Sequence, residues 1–227
     1  MKQSASILLL ISLISLGNLN AQTGIRFGLK AGYSLATQYG ISPADDSYTV
    51  DTDNRNGFAG GVFLYIPITE SVGIQQEWLY AMKGSRQDVT INAASLNTVS
   101  QYNLNYFEMP LVLKYRFFKI KNFGIYGTTG IALSLLLDGD YNITTTINTG
   151  GTPIVLPVES GNMDGLDTFD YSFVYGLGSD FKLLNMDFFF DIRMTVGWNT
   201  LAMPNATNAE PVPLRNQDYV FALGMYF

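Results

Sequence analysis

The 227-residue sequence contains no cysteine and no histidine. Without cysteine, the chain forms no disulfide, no zinc–thiolate site and no thiol nucleophile. Histidine is the usual general base near neutral pH, so its absence closes the common routes to acid–base and nucleophilic catalysis. We therefore expect no enzyme activity, no catalytic residue, no cofactor and no metal centre.

Charged residues are also scarce. They make up 14% of the chain, against about 25% in typical soluble domains. Aromatic residues contribute another 14%, and there are 22 glycines. Beyond the apolar run near the start of the chain, no segment approaches the roughly 18 consecutive apolar residues that a transmembrane helix needs. This combination is typical of a membrane β-barrel, in which apolar side chains are spread over short alternating strands.

The first residues form a pattern of their own. Met1-Lys2 gives a basic start, an apolar run covers residues 7–16, and the small residue Ala21 ends the segment. The apolar run is shorter than the roughly 20 residues that cross a bilayer as a helix. This order predicts a secretory signal peptide of residues 1–21. Residues 22–227 are then one exported domain, expected in the outer membrane.

Side chains alternate with a period of two along most of this domain, which predicts β-strands. From Ile25 to Leu35 every odd position is apolar, whereas the even positions hold glycine or a polar side chain. Seven further segments alternate in the same way: 57–66, 72–83, 104–117, 123–136, 169–182, 186–198 and 218–227.

The connections between these segments alternate in length. Short connections follow the second, fourth and sixth strands, near 67–71, 118–122 and 183–185. Long polar connections cover 37–56, 84–103, 137–168 and 199–217. This alternation of short and long connections predicts an all-β fold. The predicted architecture is an eight-stranded antiparallel up-and-down transmembrane β-barrel with tight periplasmic turns and long external loops. Ring closure removes the strand edges that lipid cannot hydrogen-bond.

The polar face of the strands is predicted to line the lumen. A soluble barrel would instead put the apolar face inside. The polar face, however, is rich in glycine and alanine, which relieve crowding inside a narrow barrel. It also carries seven basic and seven acidic residues, a balance that suits charges removed from water. The basic residues are Arg26, Lys30, Lys83, Lys114, Arg116, Lys182 and Arg193. The acidic residues are Glu77, Glu108, Asp170, Asp180, Asp187, Asp191 and Asp218.

We interpret this set as a structural charge network. Glu77 and Glu108 lie on adjacent strands, and a carboxylate pair could in principle do acid–base work. The preferred interpretation pairs these two glutamates with Lys83, Lys114 and Arg116.

Acidic residues dominate the long connections, with eleven acids against three basic residues. An acidic external rim repels nucleic acid, so we expect no nucleic-acid partner. The stretch from Asp51 to Gly57 is similar to a calcium loop, but Arg55 and Val62 stand at ligand positions. Weak cation binding there is an open alternative to a solvated loop.

Several aromatic residues have positions that point to the membrane. Phe227 ends the last strand and resembles the terminal signal that the barrel assembly machinery reads. Other aromatics are predicted to form the interfacial girdles: Tyr33, Trp78, Tyr80, Tyr115, Trp198 and Tyr219.

Several motifs together resemble the PorT-like outer-membrane β-barrel family over essentially all of residues 22–227. They are Phe27 to Ser34, Gln75 to Tyr80 with Lys83-Gly84, Asn105 to Leu111, Gly176-Leu177-Gly178 and the final Phe227. The resemblance implies an eight-stranded barrel in a Gram-negative outer membrane, and it supplies no catalytic residues. The founding member of the family is tied to protein secretion.

Three functions remain open at this stage. The preferred one is a plugged, monomeric scaffold whose loops engage envelope or surface proteins. The alternatives are an accessory role in protein export and a narrow small-solute pore. In each case the expected partners include outer-membrane lipid and, during biogenesis, the barrel assembly machinery.

Overall fold

A computed structural model describes residues 24–40, 48–91, 95–148, 150–163, 169–203 and 212–227. The predicted signal peptide lies outside these residues, as do Asp45, Asp46, Asp164, Asp167 and Glu210 of the predicted acidic rim. In the described part of the chain, no helix has the length and apolarity to cross a membrane.

The described chain folds into one antiparallel sheet. Its strands are β1 (Arg26–Tyr39), β2 (Tyr48–Pro67), β3 (Val72–Ile91), β4 (Leu96–Ile120), β5 (Phe123–Ile147), β6 (Ile154–Val155), β7 (Glu159–Asn162), β8 (Phe169–Leu183), β9 (Met186–Gly197), β10 (Leu201–Met203) and β11 (Val212–Tyr226).

Eight long strands of this sheet form a closed ring. They pair in the order β1-β2-β3-β4-β5-β8-β9-β11, and β11 pairs back onto β1 from Gly28↔Tyr226 to Tyr39↔Arg215. The N–H of Phe227 also donates to the carbonyl of Phe27, so the chain terminus takes part in the closure. Three short strands extend the sheet, since β6 and β7 pair with β5 and β10 pairs with β11. The predicted antiparallel up-and-down order is confirmed.

The two ends of the ring differ. At one, here called the turn end, β2–β3, β4–β5 and β8–β9 are joined by short turns. Leu184 and Asn185 both have positive φ, 51° and 63°, as a tight two-residue hairpin requires. The opposite end, here called the loop end, carries the connections β1–β2, β3–β4, β5–β8 and β9–β11, of which all but β3–β4 are longer than these turns.

The strands at the loop end are much longer than the alternation predicted. Residues 48–54 pair with 85–91, residues 55 and 56 pair with β1, and β4 and β5 pair from Leu96↔Ile147 onwards. The prediction of loops over 37–56 and 84–103 was therefore wrong in large part. The predicted loops over 137–168 and 199–217 were wrong for 137–147 and 212–217, which lie in β5 and β11. Asp51 to Gly57 is β-strand rather than a calcium-type loop. The physical reason is that apolar alternation marks only strands with one apolar face. Hydrogen-bonded hairpins can continue beyond that point with polar side chains on both faces.

The two faces of the ring have the predicted polarity. Outward side chains are apolar and exposed, as at Phe27 (63%), Leu111 (45%) and Ile192 (43%). Five of the six predicted girdle aromatics are exposed on this face, and Trp78 is half-buried. Inward neighbours such as Lys30, Val112 and Arg193 are buried. Alternation therefore separates an apolar exterior from a packed interior.

Candidate functional site: the filled lumen

The lumen contains layers of side chains stacked between the turn end and the loop end. From the turn end these are a charged mouth, an aromatic cluster, a central ionic cluster, an outer ionic cluster and an apolar cluster. The charged mouth contains Arg26, Arg116, Asp180, Lys182 and Asp187. All the lumen residues predicted from the sequence belong to these layers. Their partners, however, often lie across the ring rather than on the neighbouring strand.

The central ionic cluster consists of Lys30, Glu77, Asp191 and Arg193, none more than 5% exposed. Arg193 Nη1 lies 2.7 Å from Glu77 Oε1, and Nη2 lies 3.0 Å from Asp191 Oδ2. Lys30 Nζ lies 3.4 Å from both carboxylates. Two cations thus face two anions, which offsets the cost of taking charges out of water.

The outer ionic cluster lies nearer the loop end and contains Lys83, Glu108, Asp170 and Asp218. Lys83 is in direct ion-pair contact with Glu108 and lies 3.9 Å from Asp218 Oδ1. Asn216 donates to Asp170 Oδ2 over 2.9 Å. All four charged side chains are buried. The three carboxylates of this cluster are therefore balanced by one lysine and by hydrogen bonds from polar neighbours such as Asn216.

The predicted pairing of the glutamates was correct only for Glu108 with Lys83. Glu77 pairs with Lys30 and Arg193 instead, and Lys114 and Arg116 both pair with Asp180. The reason is the ring geometry, because β3 and β9 face each other across the lumen. The structure also places Glu77 and Glu108 in different clusters, so they do not form an isolated carboxylate pair.

An aromatic cluster that sequence reasoning missed fills the lumen beneath the turn-end mouth. Its buried members are Phe63, Tyr65, Tyr126, Phe189 and Tyr226. Phe63 packs edge-on against Phe189 and Tyr226, with ring centroids 5.4 Å and 5.2 Å apart. Lys114 Nζ lies 3.4 Å from the centroid of the Tyr126 ring and donates to the Tyr226 hydroxyl over 2.7 Å. These rings pack against one another inside the lumen at this level.

Glycines on neighbouring strands make room for these rings. A Cβ atom added at Gly28 would collide with the Phe63 ring, and one at Gly224 would collide with Phe189. Gly178 stands in the same relation to Tyr126. The predicted role of lumen glycines in relieving crowding is therefore confirmed. The sequence signal for this cluster was an aromatic residue on the polar face of one strand that pairs with a glycine on the next strand, as Phe63 pairs with Gly28.

An apolar cluster fills the lumen towards the loop end. It combines Tyr102, Leu104 and Tyr106 of β4 with residues of the long connections and β11: Met163, Leu201 and Leu214. Burial raises the pKa of Tyr102, which lies beyond the apolar exterior band of β4, so its hydroxyl stays neutral. Between the two ionic clusters, a void of only about 10 Å³ touches Lys30, Glu108 and Arg193. It offers at most room for one water molecule.

Comparisons with known proteins agree with this architecture. The family model described as outer membrane protein beta-barrel domain matches residues 20–202. No curated protein matches the chain. The chain is similar to the outer membrane protein OprG from Pseudomonas aeruginosa, with a TM-score of 0.49 and 11% identity over 89% of this chain and 95% of OprG.

Two other solved structures are similar at lower scores. The Ail protein of Yersinia pestis has a TM-score of 0.40 and 14% identity, over 89% of this chain and 98% of Ail. The outer membrane protease OmpT of Escherichia coli has a TM-score of 0.41 and 9% identity, over 89% and 94%. Such values carry no functional argument. The family match, which covers most of the chain, shows that this protein belongs to the outer membrane protein beta-barrel domain family.

Proposed function

We propose that this outer-membrane protein is a monomeric, eight-stranded transmembrane barrel with a closed lumen. It acts without catalysis, as a scaffold that presents its external strands to envelope or surface partners. The observation that carries the proposal is the filling of the lumen. Glu77, Lys83 and Tyr226 stand at three levels, and they are 0%, 1% and 6% exposed.

An open pore needs a continuous aqueous path, and the described lumen residues favour a closed interior instead. The charges that would line such a path are bound to each other across the ring, as in Arg193 with Glu77. The rings of the aromatic cluster cross the same axis nearer the turn end. Eight strands enclose an interior that side chains can fill completely.

In the described residues, the presented surface includes strands that continue beyond the apolar band. Side-chain hydrogen bonds join its strands beyond the apolar band: Asn103 donates to Asp140 over 2.6 Å, and Asn97 donates to Asp88 over 2.5 Å. Asp51 and Asp53 are exposed on β2. A partner with a basic surface suits this end of the molecule.

Planar-bilayer conductance tests the closed lumen. Purified wild-type protein is expected to give no steady channels. A double variant Tyr126→Ala/Phe189→Ala, which removes two rings of the aromatic cluster, is expected to stay closed as well, because the ionic clusters still fill the lumen. Steady channels from the wild type would overturn the scaffold proposal in favour of a solute pore.

We also propose that the protein is a PorT-like family member and that residues 1–21 are a signal peptide for its export. The motifs from Phe27 to Ser34 and from Asn105 to Leu111 favour PorT-like membership, and with it an accessory role in export. Deleting the gene and comparing secreted proteins tests that alternative, since a scaffold predicts an unchanged secretome. N-terminal sequencing of protein extracted from outer membranes should begin at Gln22 if residues 1–21 are a signal peptide.

A further inference from the structure

The charged mouth at the turn end encloses a cavity of about 250 Å³. Residues of six ring strands and of the turn at Lys121-Asn122 line it. Five basic side chains contribute to this lining: Arg26, Arg116, Lys119, Lys121 and Lys182. Only two acidic side chains, Asp180 and Asp187, contribute as well. The cavity therefore carries a net charge of +3.

Both carboxylates already form ion pairs with basic side chains of the protein. Asp180 accepts from Arg116 Nη2 at 2.8 Å and from the deeper Lys114 at 2.6 Å. Asp187 lies 3.4 Å from Arg26 and 3.8 Å from Lys182. Among the residues that the structure describes, Lys119 and Lys121 have no carboxylate partner within 4.0 Å. The excess positive charge is therefore carried by Lys119 and Lys121, whose side chains are available to bind a ligand.

The cavity has a closed floor and an open mouth. Tyr226 forms part of the lining, and the Arg26 guanidinium lies 4.2 Å from the centroid of its ring. The aromatic cluster lies directly beneath. Low-dielectric walls behind a charged cleft concentrate the electrostatic field at its opening. An anion that enters is therefore held by several cations at once.

We propose that this cavity is a binding site for a small multivalent oxyanion carrying phosphate or carboxylate groups. Arginine and lysine together supply the charge-assisted donors that such groups prefer. The volume admits a small solute or a single headgroup but not a folded partner. A free anion and an anionic lipid headgroup share this chemistry.

Calorimetric titration with pyrophosphate tests the site, using the full chain folded in a non-ionic detergent. Wild-type protein is expected to bind pyrophosphate. The variant Lys119→Gln/Lys121→Gln, which removes two exposed cations near the turn, is expected to bind at least about tenfold more weakly. The matched control is Arg86→Gln/Arg215→Gln, which removes two exposed positive charges at the loop end. Its affinity should equal that of the wild type.

A second arm identifies the source of the anion. Adding phosphatidylglycerol, with phosphatidylcholine as the comparison lipid, should displace pyrophosphate if the site takes a headgroup. Failure to displace it assigns the site to a free anion, and both outcomes support the proposal. Absence of pyrophosphate binding, or equal weakening in both double variants, would overturn it. Neither result depends on whether the lumen conducts.

Discussion

The buried charges of the lumen depend on their individual partners. Glu77 is ion-paired with Arg193, accepts hydrogen bonds from Lys30 and Gln75, and is fully buried. Replacing it with a neutral isostere leaves two buried cations to share Asp191. Removing one member of a buried ion-pair network is among the more damaging changes to a folded protein, because the remaining charge stays desolvated.

Glu77→Gln is therefore expected to lower the free energy of unfolding by about 3–5 kcal/mol. Urea unfolding in lipid vesicles measures it. Glu159→Gln, at an exposed carboxylate of β7, is the matched control and should change the free energy by less than about 0.5 kcal/mol. Equal stabilities of the two variants would show that the ion pairs across the lumen are not needed.

The lipid-facing side chains are tested by adding a charge. Leu111 lies on the outward face of β4, and arginine there is expected to cost about 2–4 kcal/mol near the bilayer midplane. The folding yield of Leu111→Arg in vesicles should drop accordingly. Leu156→Arg, at an exposed leucine beyond the ring, should fold like the wild type. Equal yields would contradict the outward assignment of Leu111.

Among the elements, the β8–β9 hairpin carries a local conflict between sequence and backbone. Leu184 adopts a φ of 51° and is 82% exposed. The left-handed conformation costs a non-glycine residue roughly 1–2 kcal/mol. Leu184→Gly is thus expected to raise the free energy of unfolding by about 1 kcal/mol. Leu183→Gly, within the adjacent strand, should lower it. Destabilisation by Leu184→Gly would rule out the strained turn.

The strand pair β2–β3 offers a test of the glycine–aromatic packing. Gly73→Val is expected to destabilise the protein strongly, because the atoms nearest to an added Cβ all belong to the Tyr65 side chain and lie at collision distance. Tyr65→Ala should remove that collision, so the double variant is expected to be more stable than the two single effects predict, by at least about 1 kcal/mol. Gly151→Val, where no atom lies within 4 Å of an added Cβ, is the control. Additive effects of the two lumen changes would argue against the contact.

Strand identity followed from the sequence wherever one face is apolar, as in β1 and β9. It failed where both faces carry mostly polar side chains, because hairpins such as 48–54 with 85–91 have no apolar period to detect, even where Ser85 and Gln87 are buried. The extensions are specified by cross-strand pairing between segments that are distant along the chain. Single-sequence periodicity does not contain that information.

For the whole molecule, the charged lumen residues were predictable but their pairing was not. The sequence indicates which residues point inwards, so Lys30, Glu77 and Arg193 were identified. Which of them touch depends on the stagger of the strands and on the ring order, which brings β3 opposite β9. Positive and negative charges balance over the lumen as a whole, whereas the charged mouth at the turn end has a net positive charge.

The central claim is that the exterior faces lipid and the interior is filled, and neighbouring positions of β4 report on both. The natural chain has no cysteine, so spin labels at Leu111→Cys and Val112→Cys are unique. Leu111 is 45% exposed and Val112 1% exposed. In a bilayer, membrane-dissolved oxygen should reach the label at 111 while a water-soluble nickel chelate reaches neither label. Access of the chelate to 111 would contradict the lipid-facing exterior, and access to 112 would contradict the filled lumen.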